Sequence, residues 1–304
     1  MRKARQAAPV TRVLYLAGWG RSGTTILDTV LGSYPGVFSA GELCFLWKRG
    51  LVSGRKCGCG TPLRECALWR EVLRAAYGDS PPDPHKVVAW QQEAARARHT
   101  PRLLRGDHPL ADVMSRLYRG IGEVTGAALI VDSSKLPSGA ALLAQRPELS
   151  AYVAHVVRDP RAVAHSWRRP KKQLDLPDKI DLMKPHSIWD STAKWLSWNY
   201  LTELTTRSFP GRARRVAYED FAARPRAVVE DLLALAGVPA ESGPFTGERT
   251  VLLGDNHTVS GNPGRFSTGE TEIRADEAWR RDMPRRDRML TAALSWPLRR
   301  RYGY

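Results

Sequence analysis

The chain has 304 residues, 42% of them hydrophobic, with ten tryptophans, 47 basic and 31 acidic side chains and a formal net charge of +16. That composition excludes a disordered polypeptide and allows one large domain or two small ones. Arginine supplies 37 of the 47 basic residues, an exterior that favours anionic ligands or simply belongs to an Arg- and Ala-rich proteome, while no nucleic-acid motif is present.

In chain order, the basic stretch Met1–Pro9 is followed by no long apolar run. Val13–Ala17 is far too short for a signal peptide or a membrane span, so a soluble, cytoplasmic protein is expected. Val13–Ala17 reads as a buried strand. It stops at Gly18-Trp19-Gly20-Arg21-Ser22-Gly23-Thr24-Thr25, and Ile26, Leu27, Val30 and Leu31 then carry a helical period. Strand, Gly-rich loop and helix N-terminus together make an anion site, because unpaired N–H groups and the helix dipole converge there. The spacing approaches the nucleotide loop G-x-x-x-x-G-K-S/T. Thr24, however, stands where the lysine would be, and the cation sits three residues earlier at Arg21. A γ-phosphate site needs its charge directly after the last glycine.

Val37-Phe38 leads through Ser39-Ala40-Gly41 to Glu42, a carboxylate on the sheet edge that carries the first loop. The alternative is a helix-start acid. The four cysteines, Cys44, Cys57, Cys59 and Cys66, lie in one short region. Their C-x-C spacing lacks the paired C-x-x-C of common zinc modules, so no metal is expected and free or bridged thiols are preferred. From Glu65 to about Gly126 the pattern is helical and Arg-rich, read as a cap over about 57–126. Ala127–Val131 is a buried strand ending in Asp132-Ser133-Ser134-Lys135. Tyr152–Val157 is another, running through Arg158-Asp159-Pro160 into a helix whose first turn suits Pro160. A charged, Pro-punctuated stretch at about 171–187 predicts a lid. Ile188–Leu204 is a long helix whose Trp195, Trp198 and Leu201 read as core. Arg214–Ala217 is a short strand before Tyr218-Glu219-Asp220, and an irregular region holds His257 and Gly261-Asn262-Pro263-Gly264-Arg265. Strands alternating with helices predict a single α/β domain over 1–304 with a mainly parallel sheet.

Arg158 leaves a strand and Ser166 follows two turns into the next helix, a second anion site beside the first. Such a pair suits a ligand with two separated anionic groups. The loop G-x-x-R-S-G-T-T, the run R-D-x-R-x-x-x-x-S and Tyr218-Glu219-Asp220-Phe221 resemble the motifs of sulfotransferases that use 3′-phosphoadenosine-5′-phosphosulfate (PAPS). With R-S-G-T-T and a Gly-Glu pair about twenty residues on, the layout is most similar to tyrosylprotein and carbohydrate sulfotransferases. The resemblance covers Val13–Glu42, Ala127–Trp167 and Val216–Arg265. It implies a P-loop-like fold, PAPS as donor, PAP (3′-phosphoadenosine 5′-phosphate) as product and no metal. Gly20, Arg21, Ser22, Gly23, Thr24 and Thr25 would hold the 5′-phosphosulfate, and Arg158 and Ser166 the 3′-phosphate. Tyr218 would lie on the adenine side, and Gly261, Asn262 and Arg265 would close over the nucleotide. Glu42 would act as general base, with Arg21 and Lys135 as cations on the leaving phosphate and His257 as the next base to consider. The acceptor would be a hydroxyl on a glycan, metabolite or lipid, anionic or neutral. Two alternatives stay open. One is a P-loop kinase-like enzyme with Asp132 ending a Walker B strand; the other is a non-catalytic PAP- or polyanion-binding protein.

Overall fold

An all-apolar strand must be covered on both faces, and the first strand is placed accordingly, at the centre of a sheet. The computed structural model describes residues 10–170, 172–176 and 181–304. The chain opens with β1 (Arg12–Ala17), α1 (Thr24–Gly32) and β2 (Val37–Gly41), followed by a π-helical turn at Leu46–Val52. Next come α2 (Ala67–Tyr77), α3 (Pro84–Ala94), α4 (Thr100–Leu103) and α5 (Pro109–Thr125). The middle of the chain holds β3 (Leu129–Lys135), α6 (Pro137–Ala144), β4 (Ser150–Val157) and α7 (Pro160–Arg168). A short antiparallel pair, β5 (Lys172–Gln173) and β6 (Asp181–Leu182), precedes α8 (Ile188–Thr206), β7 (Ala213–Ala217), α9 (Tyr218–Ala223) and α10 (Pro225–Leu235). The last part comprises the antiparallel strands β8 (Thr250–Leu253) and β9 (Gly269–Glu272), then α11 (Ala278–Asp282), α12 (Arg285–Leu294) and α13 (Trp296–Tyr302).

Five strands form one sheet in the order β2-β3-β1-β4-β7, and every pairing in it is parallel. The chain is thus a single α/β domain with helices on both faces, as the alternation predicts. Side chains alternate across β1. Val13 and Tyr15 pack with Ile130 and Val153 against Leu117, Tyr118 and Ile121 of α5. Leu14 and Leu16 pack on the other face against Leu27, Val30 and Leu31 of α1 and Val229, Leu232 and Leu233 of α10.

Within the segment expected as a cap at about 57–126, α5 packs directly on the sheet, while α2 lies against α5 and α3 against the π-helical turn. α5 is the crossover between β2 and β3 and shares the core of β1 and β3. Its exposed face carries Arg116 and Arg119, which is what gave the segment its polar look. α2 packs closely along α5, with Gly120 so near Ala76 that a Cβ there would lie 2.8 Å from the alanine methyl. Of the expected lid at about 171–187, residues 171 and 177–180 lie outside the described residues. In the described part, the buried Asp175 accepts a hydrogen bond from Arg55 (3.1 Å). No described helix is long and apolar enough to cross a membrane.

Candidate functional site

The connection after β1 runs through α1 to β2 at one edge of the sheet, and the connection after β4 runs to β7 at the other. A crevice therefore opens between the carboxyl ends of these two neighbouring strands. A cleft of about 540 Å³ lies there, within the range of small-molecule sites. Its floor is the loop 18–23. Gly23 has φ +81° and a Cβ on it would fall 2.5 Å from the Tyr218 ring, so only glycine fits. The Ser22 hydroxyl donates to Trp19 O (2.8 Å) and closes the turn. α1 then starts without a side-chain cap and without an acid in its first turn, leaving its first N–H groups and positive dipole end open to an anion. Asp28 anchors this helix to the sheet, accepting from Ser39 (2.7 Å) and Ser133 (2.8 Å), and burial pushes its carboxyl up to about 7.

Charge converges on the same spot. Arg21, at φ +69°, lies over the Trp167 ring at 4.7 Å, and its Nη2 contacts Met183 Sδ at 3.4 Å. Burial, with Arg169 nearby, lowers its guanidinium to about 10, so it remains charged at neutral pH. Its Nε and Nη1 are buried and find no hydrogen-bond partner among the described residues. Lys135, also at positive φ (+70°), donates from Nζ to Glu42 Oε1 and to Ser133 O (3.1 Å). The other Glu42 oxygen lies 3.9 Å from Arg49 Nη1. Across the cleft, the buried Arg158 donates to Arg21 O (3.0 Å) and Asp276 O (2.7 Å) and stacks on Tyr218 at 4.3 Å. Its Nε is also buried without a partner among the described residues. The Trp195 indole donates to Arg158 O (3.0 Å) and sets where that arginine leaves β4.

Gly20, Arg21, Gly23, Thr24 and Thr25 face this one cleft together with Glu42 and Lys135. Arg158, Ser166, Tyr218, Gly261 and Asn262 complete the set of sequence candidates that line it. Three others do not. Ser22 is 1% exposed and turned into its own loop. Arg265 lies behind the 261–264 loop, its guanidinium donating to Thr258 O (2.5 Å) and Lys56 O (2.8 Å); these two carbonyls need donors and recruit it. His257 points at thiols, with Nδ1 3.7 Å from Cys57 Sγ and 3.3 Å from Cys66 Sγ. Asp132 lies outside the cleft as well. It accepts from Tyr118 (2.5 Å) and Ser134, burial pushes it up to about 6, and it borders a separate, mostly apolar cavity of about 160 Å³.

Several cleft residues escaped the sequence reading. Arg49 sits on the π-helical turn, over Phe45 at 3.7 Å, where a helical period of 3.6 does not apply. Trp198, read as core, joins Trp19 (5.1 Å) and Trp167 in an aromatic wall. Asp276 accepts from Arg169 (2.6 Å) and approaches Arg158 (3.5 Å), and no motif marks it.

A sequence model of the family described as the sulfotransferase family matches residues 14–242. No curated protein matches the chain significantly. Among solved structures, the chain is similar to the sulfotransferase domain from the Synechococcus PCC 7002 olefin synthase, with TM-score 0.55 and 22% identity over 100% of this chain and 98% of that one. It is also similar to the sulfotransferase domain from the curacin biosynthetic pathway, with TM-score 0.50 and 17% identity over 92% of this chain and 95% of that one. At such identities the likeness is one of fold.

Proposed function

Since the chain belongs to the sulfotransferase family, we propose that it transfers the sulfuryl group of PAPS to an acceptor hydroxyl. The observation that carries this reading is the convergence of two anion sites on one cleft. The β1 loop with Arg21 and the Arg158–Ser166 stretch leave neighbouring strands, and the Glu42–Lys135 pair lines the same cleft. Unpartnered buried N–H groups on Arg21 and Arg158 fit a donor with anionic groups at two ends.

When bound, the donor supplies a sulfuryl group on a phosphate leaving group, and its displacement builds negative charge on the bridging oxygen. Arg21 and the N–H groups at the start of α1 hold the 5′ end and stabilise that charge. Arg158 and Ser166 hold the 3′-phosphate, Tyr218 borders the adenine side, and Gly261 and Asn262 cover the nucleotide. Glu42 takes the acceptor proton as general base. Once neutral, Glu42 releases the charge of Lys135 to the leaving phosphate, so one proton shift serves both ends of the displacement. The apolar cavity meets the cleft at Phe45, Ser134 and Leu136, which supports an acceptor with an apolar part beside its hydroxyl. A magnesium-dependent phosphotransfer is less well supported, because Asp132 faces Tyr118 and Ser134 and borders the apolar cavity instead of the cleft.

Thermal unfolding with PAP, AMP, and ATP with and without magnesium tests the donor. A ligand held only by the folded state at a hundred times its Kd adds about 2.7 kcal/mol. PAP is expected to raise Tm well beyond AMP or ATP, without magnesium. A larger shift from ATP with magnesium and none from PAP would overturn the reading in favour of a kinase.

A further inference from the structure

We propose that Cys57, Cys59, Cys66 and His257 form a structural zinc site. Their four ligand atoms all lie within 4.8 Å of one another. Tetrahedral zinc with bonds of about 2.3 Å to sulfur and about 2.0 Å to nitrogen separates its ligands by roughly 3.8 Å between sulfurs and roughly 3.5 Å between sulfur and nitrogen. Here Cys59 and Cys66 Sγ are 3.9 Å apart, and His257 Nδ1 lies 3.7 and 3.3 Å from the Cys57 and Cys66 sulfurs. Three sulfurs and one imidazole nitrogen at this spacing make a closed Cys₃His set, the donor chemistry of structural zinc.

Each ligand is held by backbone geometry independent of any ion. Cys57 and Cys59 sit on a tight turn closed by Cys57 N to Thr61 O (2.8 Å) and Gly60 N to Cys57 O (2.9 Å). Between them Gly58 donates to Thr258 O (3.0 Å), and a Cβ there would fall 1.9 Å from Asn256 Oδ1, so the approach of the 256–258 segment requires glycine. Cys66 is the N-cap of α2, which fixes its backbone at the start of that helix. The His257 carbonyl accepts from the Trp69 indole (2.8 Å), which orients the residue from α2.

Charge supplies a second line of argument. Arg265 is 1% exposed, yet it has no carboxylate within 4 Å among the described residues, and its nitrogens bond only to carbonyls and the Thr258 hydroxyl. A zinc ion with three thiolates and a neutral imidazole carries a net −1, beside the Thr258 and Lys56 carbonyls that hold this guanidinium next to His257 and Cys57. The ion would also clamp the turn and the start of α2 to residue 257. Two residues on, Val259 pairs with the end of β2, accepting from Glu42 N (2.6 Å) and donating to Ala40 O (2.9 Å). The site is thus a positioning device for the strand end that bears Glu42.

The test needs neither nucleotide nor acceptor, so its outcome is separate from that of the donor reading. Protein from zinc-supplemented medium, purified without chelator under reducing conditions, is analysed for metal by mass spectrometry. About one zinc per chain is expected, retained in Cys44→Ser and lost in Cys59→Ser, whose native thiol is exposed. Cobalt exchanged into the wild type should show tetrahedral d–d bands with thiolate charge transfer. Wild-type protein without zinc and with four free thiols would overturn the proposal. So would a Cys59–Cys66 disulfide, or zinc that stays in Cys59→Ser and leaves with Cys44→Ser.

Discussion

Glu42 is pulled in two directions by its neighbours. Its backbone N–H is tied to Val259 O at the end of β2, while its carboxylate lies between Lys135 and Arg49. A glutamine there keeps the shape and still accepts from Lys135, but it cannot take a proton. A positioned base is worth about 10²–10⁴ in rate, so Glu42→Gln should lose turnover by that order while PAP binding holds. Turnover and Tm measured on one preparation separate this from a helix-start acid; normal turnover with a lower Tm would remove Glu42 from catalysis. At this scale the sequence was legible where backbone geometry forces the residue type. Arg21 after two glycines and Glu42 after Gly41 both reach the cleft. Arg265 was misjudged because a charge in a loop looks solvent-facing, whereas buried carbonyls at 56 and 258 claim its N–H groups. His257 was hidden for another reason. Its three cysteine neighbours lie about two hundred residues earlier, a distance no spacing rule spans.

The helix α7 carries the next test. Pro160 at its start and Asp159, which caps Arg161 N (2.8 Å), define its first turn, and Ser166 lies two turns further along, facing the cleft. Loss of a hydrogen bond to a charged group costs about 1.5–3 kcal/mol. Ser166→Ala should therefore weaken PAP by roughly tenfold or more and leave adenosine 5′-phosphosulfate almost untouched, since only PAP has the 3′-phosphate. Arg158→Ala should be less selective, because this arginine also donates to Arg21 O and so supports the loop after β1. Titration calorimetry with both nucleotides decides the matter, and equal losses for Ser166→Ala would separate α7 from the 3′-phosphate. Elements with a plain period were readable in advance: β1, β3 and β4 as apolar runs, α7 and α8 as helices. The π-helical turn that brings in Arg49 was not, since its period differs from that of an α-helix. α5 was misread for the opposite reason, its exposed arginines drawing attention from Leu117, Tyr118 and Ile121 beneath them.

Across the whole molecule, the cleft is assembled from distant parts of the chain: residues 18–21 and 23–25, Glu42, Lys135, Arg158, Ser166 and Asp276. The alternation of strands and helices revealed the parallel sheet, but not its order, because strand order depends on which faces the crossovers cover rather than on any local pattern. That order places the first strand in the middle. Val13 of β1 pairs with Ile130, and Arg12 with Ser150. During synthesis at about 5–20 residues per second, β1 leaves the ribosome on the order of ten seconds before either neighbour exists. Throughout that time Val-Leu-Tyr-Leu-Ala is an apolar segment with unmatched edges, the kind of surface that aggregates. Refolding from denaturant removes this vectorial delay but keeps the long loops that must close first. Recovery after dilution should therefore be slow, over seconds or longer, and its yield should fall as protein concentration rises, as read by recovered PAP binding. A single millisecond phase with concentration-independent yield would contradict it. The strand that leads into the floor of the cleft is thus the one that newly made chains must keep from one another until β3 and β4 arrive.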